Sequence, residues 1–100
     1  MAIVRDPEGH ETASLQALLD FKGRDVLEIG CGEGRLTWRY AAQAAHVTAI
    51  DPLSGDIETA RAQLPASLEG RVRFVASTLE DFAADSPKHK FDIAIFSWSL

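Results

Sequence analysis

The sequence predicts an α/β fold, a parallel sheet covered by helices, and three observations predict it. Short apolar or β-branched runs alternate with stretches whose apolar residues recur at helical spacing, the order that builds parallel sheets through right-handed crossovers. One run, F-D-I-A-I-F at 91–96, is nearly continuous in apolar character, as strands buried on both faces are. Another, V-L-E-I at 26–29, stops at a loop with glycine at Gly30, Gly32 and Gly34 and then feeds a helical stretch. Residues without Cβ take positive φ and let the backbone come close to a ligand. A strand, turn and helix in that order also aim backbone N–H groups at one spot, where a polar or anionic group is welcome.

Composition narrows the classes. One hundred residues hold one core at most. A 46% hydrophobic and 25% charged chain is an ordinary globular one, which argues against disorder. The net charge of -5 argues against the basic face that nucleic acid requires. Cys31 is the only cysteine, so an intrachain disulfide and a cysteine-based metal cluster are excluded and a reducing compartment fits. The first ten residues do not form a secretory signal, and no run approaches the roughly 20 apolar residues of a membrane span. The expected location is the cytoplasm, with no membrane partner.

Taken in order, Leu15, Leu18 and Leu19 predict a first amphipathic helix over 8–20, and Lys22, Gly23 and Arg24 punctuate the chain before a strand at 25–29. Leu36, Tyr40 and Ala44 recur at i, i+4 and i+8, which predicts a second helix over about 35–45 with Arg35 and Arg39 on a solvated side. H-V-T-A-I at 46–50 is the second strand, ending at Asp51-Pro52. Ser54 is placed to cap a third helix carrying Ile57, Ala60 and Leu64 on one face, with Pro65 to stop it. R-V-R-F-V-A at 71–76 is the third strand, and Thr78 is placed to cap a short helix with Leu79, Phe82 and Ala83 inward. A polar loop at 85–90 leads to the fourth strand, 91–96. Its free edge is apolar, so either the chain belongs to a longer enzyme or a second copy covers that edge in a homodimer.

The spacing of the glycines discriminates between ligands. A dinucleotide loop follows G-x-G-x-x-G. Here the third glycine comes one residue early, with Arg35 where that pattern has glycine or alanine, and Glu28 stands two residues before the first. V-L-E-I-G-C-G-E-G resembles the first motif of class I S-adenosylmethionine-dependent methyltransferases, and the likeness extends over most of the chain. It implies a Rossmann-like three-layer αβα domain over 1–100, incomplete at its C-terminus, with predicted strands in the order 3-2-1-4 and the later strands absent. The implied cofactor is S-adenosylmethionine and the implied reaction is methyl transfer to oxygen, nitrogen or carbon.

Site residues follow from the same resemblance. Asp51, 21 positions after Gly30, stands where the family holds the ribose hydroxyls, a spacing that dinucleotide folds share. Glu28 stands where an acid lies near the amino group of the cofactor's methionine part. Gly30, Cys31, Gly32 and Gly34 form the loop, Pro52 follows the ribose acid, and Thr78 and Leu79 fall at the adenine-reading position. Thr78 departs from the acidic residue common there, which leaves its hydroxyl, Glu80 and Asp81 as alternatives. Phe96 and Ser97 end the fourth strand beside the crevice where ligands of such sheets bind.

Blander readings stand beside these. The glycine turn alone is a tight connection and Asp51 alone an Asp-Pro turn residue; together with Glu28 they make a nucleoside site. Cys31 reads as a small buried filler rather than a nucleophile, since no histidine is placed by sequence to activate it. His10, His46 and His89 share no ligand spacing, so no metal is expected. Trp98 is equally a wall of the site and a core residue. Arg5 and His10 are candidates to approach the methionine carboxylate. S-W-S-L at 97–100 lacks the D/N/S-P-P-Y/F motif of nucleic-acid amino-methyltransferases, which favours a small-molecule or protein acceptor, with a small molecule first. No residue is assignable as a general base. An NAD(P)-binding oxidoreductase fragment and a non-catalytic cofactor-binding module are the alternatives.

Overall fold

In the computed structural model, which describes residues 2–5, 20–85 and 90–97, the apolar runs pair into one sheet of five strands, all parallel to their neighbours. They are β1 (Ala2–Arg5), β2 (Asp25–Ile29), β3 (His46–Asp51), β4 (Val72–Ala76) and β5 (Ile93–Phe96), in the spatial order β1-β5-β2-β3-β4. The four strands predicted from the sequence therefore lie in the expected 3-2-1-4 order. Among the described residues, three helices, α1 (Thr37–Tyr40), α2 (Ser54–Gln63) and α3 (Leu79–Asp85), and a 3-10 turn at Ala66–Leu68 connect β2 through β5.

The period of two divides the strands between two apolar layers. Register sets Val26 between Val47 and Ile93, with Val72 next to Val47, and this face joins Leu36, Tyr40 and Ala44 with Ile57 and Ala60 of α2. Leu27, Ile50 and Ala94 turn to the opposite face, where Phe82 of α3 covers them. Burial of each such aliphatic side chain is worth about 1.5–3 kcal/mol, so the two layers carry the fold. Phe21, fully buried before β2, stacks on Tyr40 at 4.7 Å between ring centroids.

Three expectations are corrected. The fourth predicted strand is not an edge: β1 pairs with it, Ala2 opposite Ile93 through Arg5 opposite Phe96. A four-residue run joining a strand 91 positions away leaves no local signal, and it covers the edge for which a second copy of the chain was the alternative. The second helix is a single regular turn. Thr37, Trp38 and Tyr40 are poor helix formers, and the chain around them tightens, with the N–H groups of Arg39, Gln43 and Ala44 donating to carbonyls three residues back at 2.9–3.2 Å. Leu36, Tyr40 and Ala44 are buried as their spacing predicts. Ser54 does not cap α2, whose N-cap is Leu53, because Asp51 takes the local turn by accepting the Leu53 N–H at 2.9 Å. Thr78 does cap α3, accepting the Asp81 N–H at 3.1 Å, and α2 stops at Leu64, extended before Pro65. The helix expected over 8–20 falls, but for Asp20, outside the described residues, as do His10, His89 and Trp98.

Candidate functional site: a cofactor cleft at the carboxyl end of the sheet

The glycine loop leaves β2 at the carboxyl end of the sheet, and its conformation explains its glycines. Gly30, Gly32 and Gly34 have φ of +80°, +57° and +95°. A Cβ on Gly34 would also lie 2.7 Å from the Trp38 ring, so the third glycine seats an indole as well as a turn. The loop amides are already committed. Gly30 and Cys31 N–H donate to the Ile50 carbonyl at 2.9 and 3.1 Å, Gly34 N–H to the Cys31 carbonyl at 3.1 Å, and Gly32 N–H to Asp51 Oδ2 at 3.0 Å. The expectation that the turn aims free N–H groups at an anion is therefore corrected for these four amides. A loop stitched to its own neighbours by these bonds does not use them to cradle a pyrophosphate.

Asp51 ends β3 and fixes the loop from the other side. Oδ2 holds Gly32 and Oδ1 holds Leu53, one bond on each oxygen. An ionised carboxylate accepts about four, so lone pairs remain on both oxygens. Asp51 lines a cleft of about 450 Å³ with Ile29, Gly30, Ile50, Pro52, Leu53, Ser77 and Leu79. Leu53, at the mouth of this cleft, is 61% exposed. The cleft thus joins an acceptor pair to apolar walls, the two requirements of a nucleoside.

A second hollow of about 260 Å³ shares Gly30 with the cleft and is lined also by Cys31, Gly32, Glu33, Arg35, Asp56 and Ser97. Beneath it lies Glu28, which is fully buried. Its Oε1 accepts the hydroxyls of Thr37 and Tyr40, each at 2.7 Å, and its Oε2 accepts Ser97 Oγ–H at 2.6 Å. Burial pushes the Glu28 carboxyl above the usual range against the pull of these three bonds and of the Arg35 charge. Burial and the neighbouring Glu28 charge push the Tyr40 phenol well up too. Cys31 is buried, and desolvation, Glu28 and Asp51 together push its thiol far above the ordinary value. That favours the filler reading over a nucleophile.

The structure thus brings Gly30, Asp51, Pro52 and Leu79 together at the cleft and Gly30, Cys31, Gly32 and Ser97 at the hollow. Glu28 and Gly34 support from below, and Thr78 is turned to the first turn of α3. Ser77, whose N–H donates to the Asp51 carbonyl at 3.0 Å, lines the cleft in its place. Sequence reasoning missed Ile29, Ile50, Leu53 and Ser77 at the cleft and Glu33, Arg35 and Asp56 at the hollow. A leucine directly after Asp51-Pro52, at the start of a helix and off its apolar stripe, was the one available signal.

Comparison with known proteins agrees with this geometry. The family model described as a methyltransferase domain matches residues 26–100. The malonyl-[acyl-carrier protein] O-methyltransferase of Paenibacillus sp. is 34% identical over 79 residues, 73% of this chain and 29% of that protein. The ubiquinone biosynthesis O-methyltransferase of Rickettsia conorii is 39% identical over 67 residues, 66% of this chain and 22% of that protein. The chain therefore spans less than a third of the length of these relatives. The crystal structure of the plantazolicin methyltransferase, in complex with a triazolic desmethyl analog and S-adenosylhomocysteine, superposes with a TM-score of 0.65 over 86% of this chain and 34% of that one at 24% identity, a likeness of fold. With the glycine loop, the cleft and the family match in agreement, the chain belongs to the class I S-adenosylmethionine-dependent methyltransferase family.

Proposed function

We propose that these 100 residues form a cytoplasmic S-adenosylmethionine-binding domain that serves methyl transfer to a small-molecule acceptor. The observation that carries the reading is Asp51, held by one bond on each carboxylate oxygen at the wall of a largely apolar cleft. Its remaining lone pairs suit the two vicinal hydroxyls of a ribose, at about 1.5–3 kcal/mol for a bond to a charged group. Ile29, Ile50, Leu53 and Leu79 offer the adenine an apolar slot. The commitment of the loop amides to Ile50, Cys31 and Asp51 supports a nucleoside without phosphates over a dinucleotide.

When bound, the cofactor supplies a methyl group already activated on a sulfonium. The work left to the chain is to hold that group in line with the acceptor and to keep water out. Gly30 lines both the cleft and the hollow, and without a Cβ it lets a ligand that spans them lie close to the backbone. The two curated relatives are named O-methyltransferases, which supports an oxygen nucleophile here.

Calorimetry with S-adenosylhomocysteine and with NAD tests the reading. Binding of S-adenosylhomocysteine at least tenfold tighter than NAD is the expected result. Preference for NAD overturns it in favour of an oxidoreductase fragment.

A further inference from the structure

At the amino end of the sheet, away from the glycine loop, β3 and β4 frame a recess of about 340 Å³ on the face that carries α3. The period of two puts His46 and Thr48 of β3 on that face with Arg73 of β4 and Arg71 just before it. Register sets Thr48 directly opposite Arg73, about 4.8 Å away as neighbouring strands are. Thr48 is 7% exposed, and its hydroxyl has no hydrogen-bond partner among the described residues. A buried hydroxyl without a partner is costly, and valine would fill the same space without that cost. Arg73 is exposed and makes no hydrogen bond or ion pair among the described residues, although Asp81 and Asp85 border it across a hollow beside α3. Arg71 donates to the Ala42 carbonyl at 2.7 Å and keeps the rest of its N–H groups. His46 closes the rim with its Nδ1 3.0 Å from Asp25 Oδ1. In a chain of net charge -5, no carboxylate of the described residues lines this recess, unlike the cleft and the hollow at the other end. Two guanidiniums with donors to spare and an unpaired hydroxyl, arriving from two strands, suit the tetrahedral oxygens of a phosphoryl group better than a planar carboxylate.

We propose that the recess is a second binding site, for a phosphoryl group, with Arg71 and Arg73 taking its charge and the Thr48 hydroxyl donating to one of its oxygens. Thr48 lies about 10 Å from Asp51 along β3, so this ligand is separate from the one in the cleft. The site stands whether or not the cleft takes S-adenosylmethionine.

NMR titration of the full chain at constant ionic strength tests it, with inorganic phosphate, glycerol 3-phosphate, acetate and chloride as probes. The expected result is saturable movement of the Thr48, Val72 and Arg73 amide signals with both phosphates, about fivefold tighter than with acetate and without a counterpart in chloride. Arg73→Ala should weaken phosphate about tenfold and Thr48→Val about fivefold. Thr48→Val should unfold at no lower urea concentration than the wild type, because the site keeps its shape and loses an unpaired hydroxyl. Tighter binding of glycerol 3-phosphate than of inorganic phosphate assigns the group to an ester, and equal or weaker binding assigns it to the free ion; both support the site. Linear shifts that chloride reproduces, equal affinity for acetate, or wild-type affinity in either variant overturns it.

Discussion

Glu28 and Asp51 are acids on neighbouring strands and the same face of the sheet, yet they live in different solvents. Glu28 pairs in register with Ala49, two residues before Asp51, so the two carboxylates differ by roughly 7 Å along the strand direction. That height decides their chemistry. Below the end of the sheet, the protein itself must satisfy a carboxylate, and three hydroxyls from α1 and the end of β5 do so. At the end of the sheet, two backbone amides hold Asp51 in place and leave lone pairs on both its oxygens at the wall of the cleft. One acid organises the loop from within and the other presents it outward.

The contrast is easiest to break from the inside. Glu28→Ala strands three hydroxyls, two of them fully buried, and should cost about 4 kcal/mol of stability by chemical denaturation, at about 1–3 kcal/mol for each unsatisfied group. A loss below about 1 kcal/mol would show that water reaches the network. Gly34→Ala follows, at about 3 kcal/mol, since a side chain is strained at φ +95° and its Cβ meets the Trp38 ring. Gly32→Ala should be milder, with open space around its Cβ and only the positive φ against it.

At the rim the expected effects move from stability to binding. Asp51→Ala should weaken S-adenosylhomocysteine by tenfold or more in calorimetry while destabilising the fold by about 1 kcal/mol. A larger loss of stability than of binding would make Asp51 a loop fastener first. Acidity separates the two carboxylates further. The Glu28 carboxyl is raised above 4.5 in the folded state, so the stability linked to it is fully present below that pH and is lost as pH rises through the raised value. Urea midpoints of the wild type relative to Glu28→Gln should therefore decline as pH rises above the ordinary carboxylate value of 4.5. A difference that stays flat would mean that Glu28 titrates alike folded and unfolded. The smallest effect belongs to Leu53→Ala, a few-fold loss of affinity with stability unchanged within about 0.5 kcal/mol, since its side chain is already exposed.

How far this was legible in the residues depends on the range of the signal. Periodicity placed β2 through β5 and the stripe of Leu36, Tyr40 and Ala44, because apolar alternation is local. It failed for α1, where the stripe is real but the residues between its members are poor helix formers. It failed again at β1, whose partner lies at the other end of the chain. Within the site, the glycine spacing and Asp51 were readable, since a turn and the residue that ends a strand are local features. Thr78 was read correctly as a cap, and that duty turns its hydroxyl into the first turn of α3 while Ser77 and Leu79 line the cleft.

By itself the sequence determined the alternation of strands and helices, the glycine loop and the acid at the end of the next strand, and with them the family. Each is written in neighbouring residues, so turn chemistry and side-chain period suffice to read it. Only the tertiary structure decided what surrounds each group. It sealed Glu28 under hydroxyls drawn from positions 37, 40 and 97, spent the loop amides on Ile50, Cys31 and Asp51, and set Leu53 at the mouth of the cleft. The physical reason is that burial and hydrogen-bond satisfaction are sums over partners distant in the chain, and parallel pairing of β5 with β2, which brings Ser97 within reach of Glu28, unites those partners only when the sheet closes.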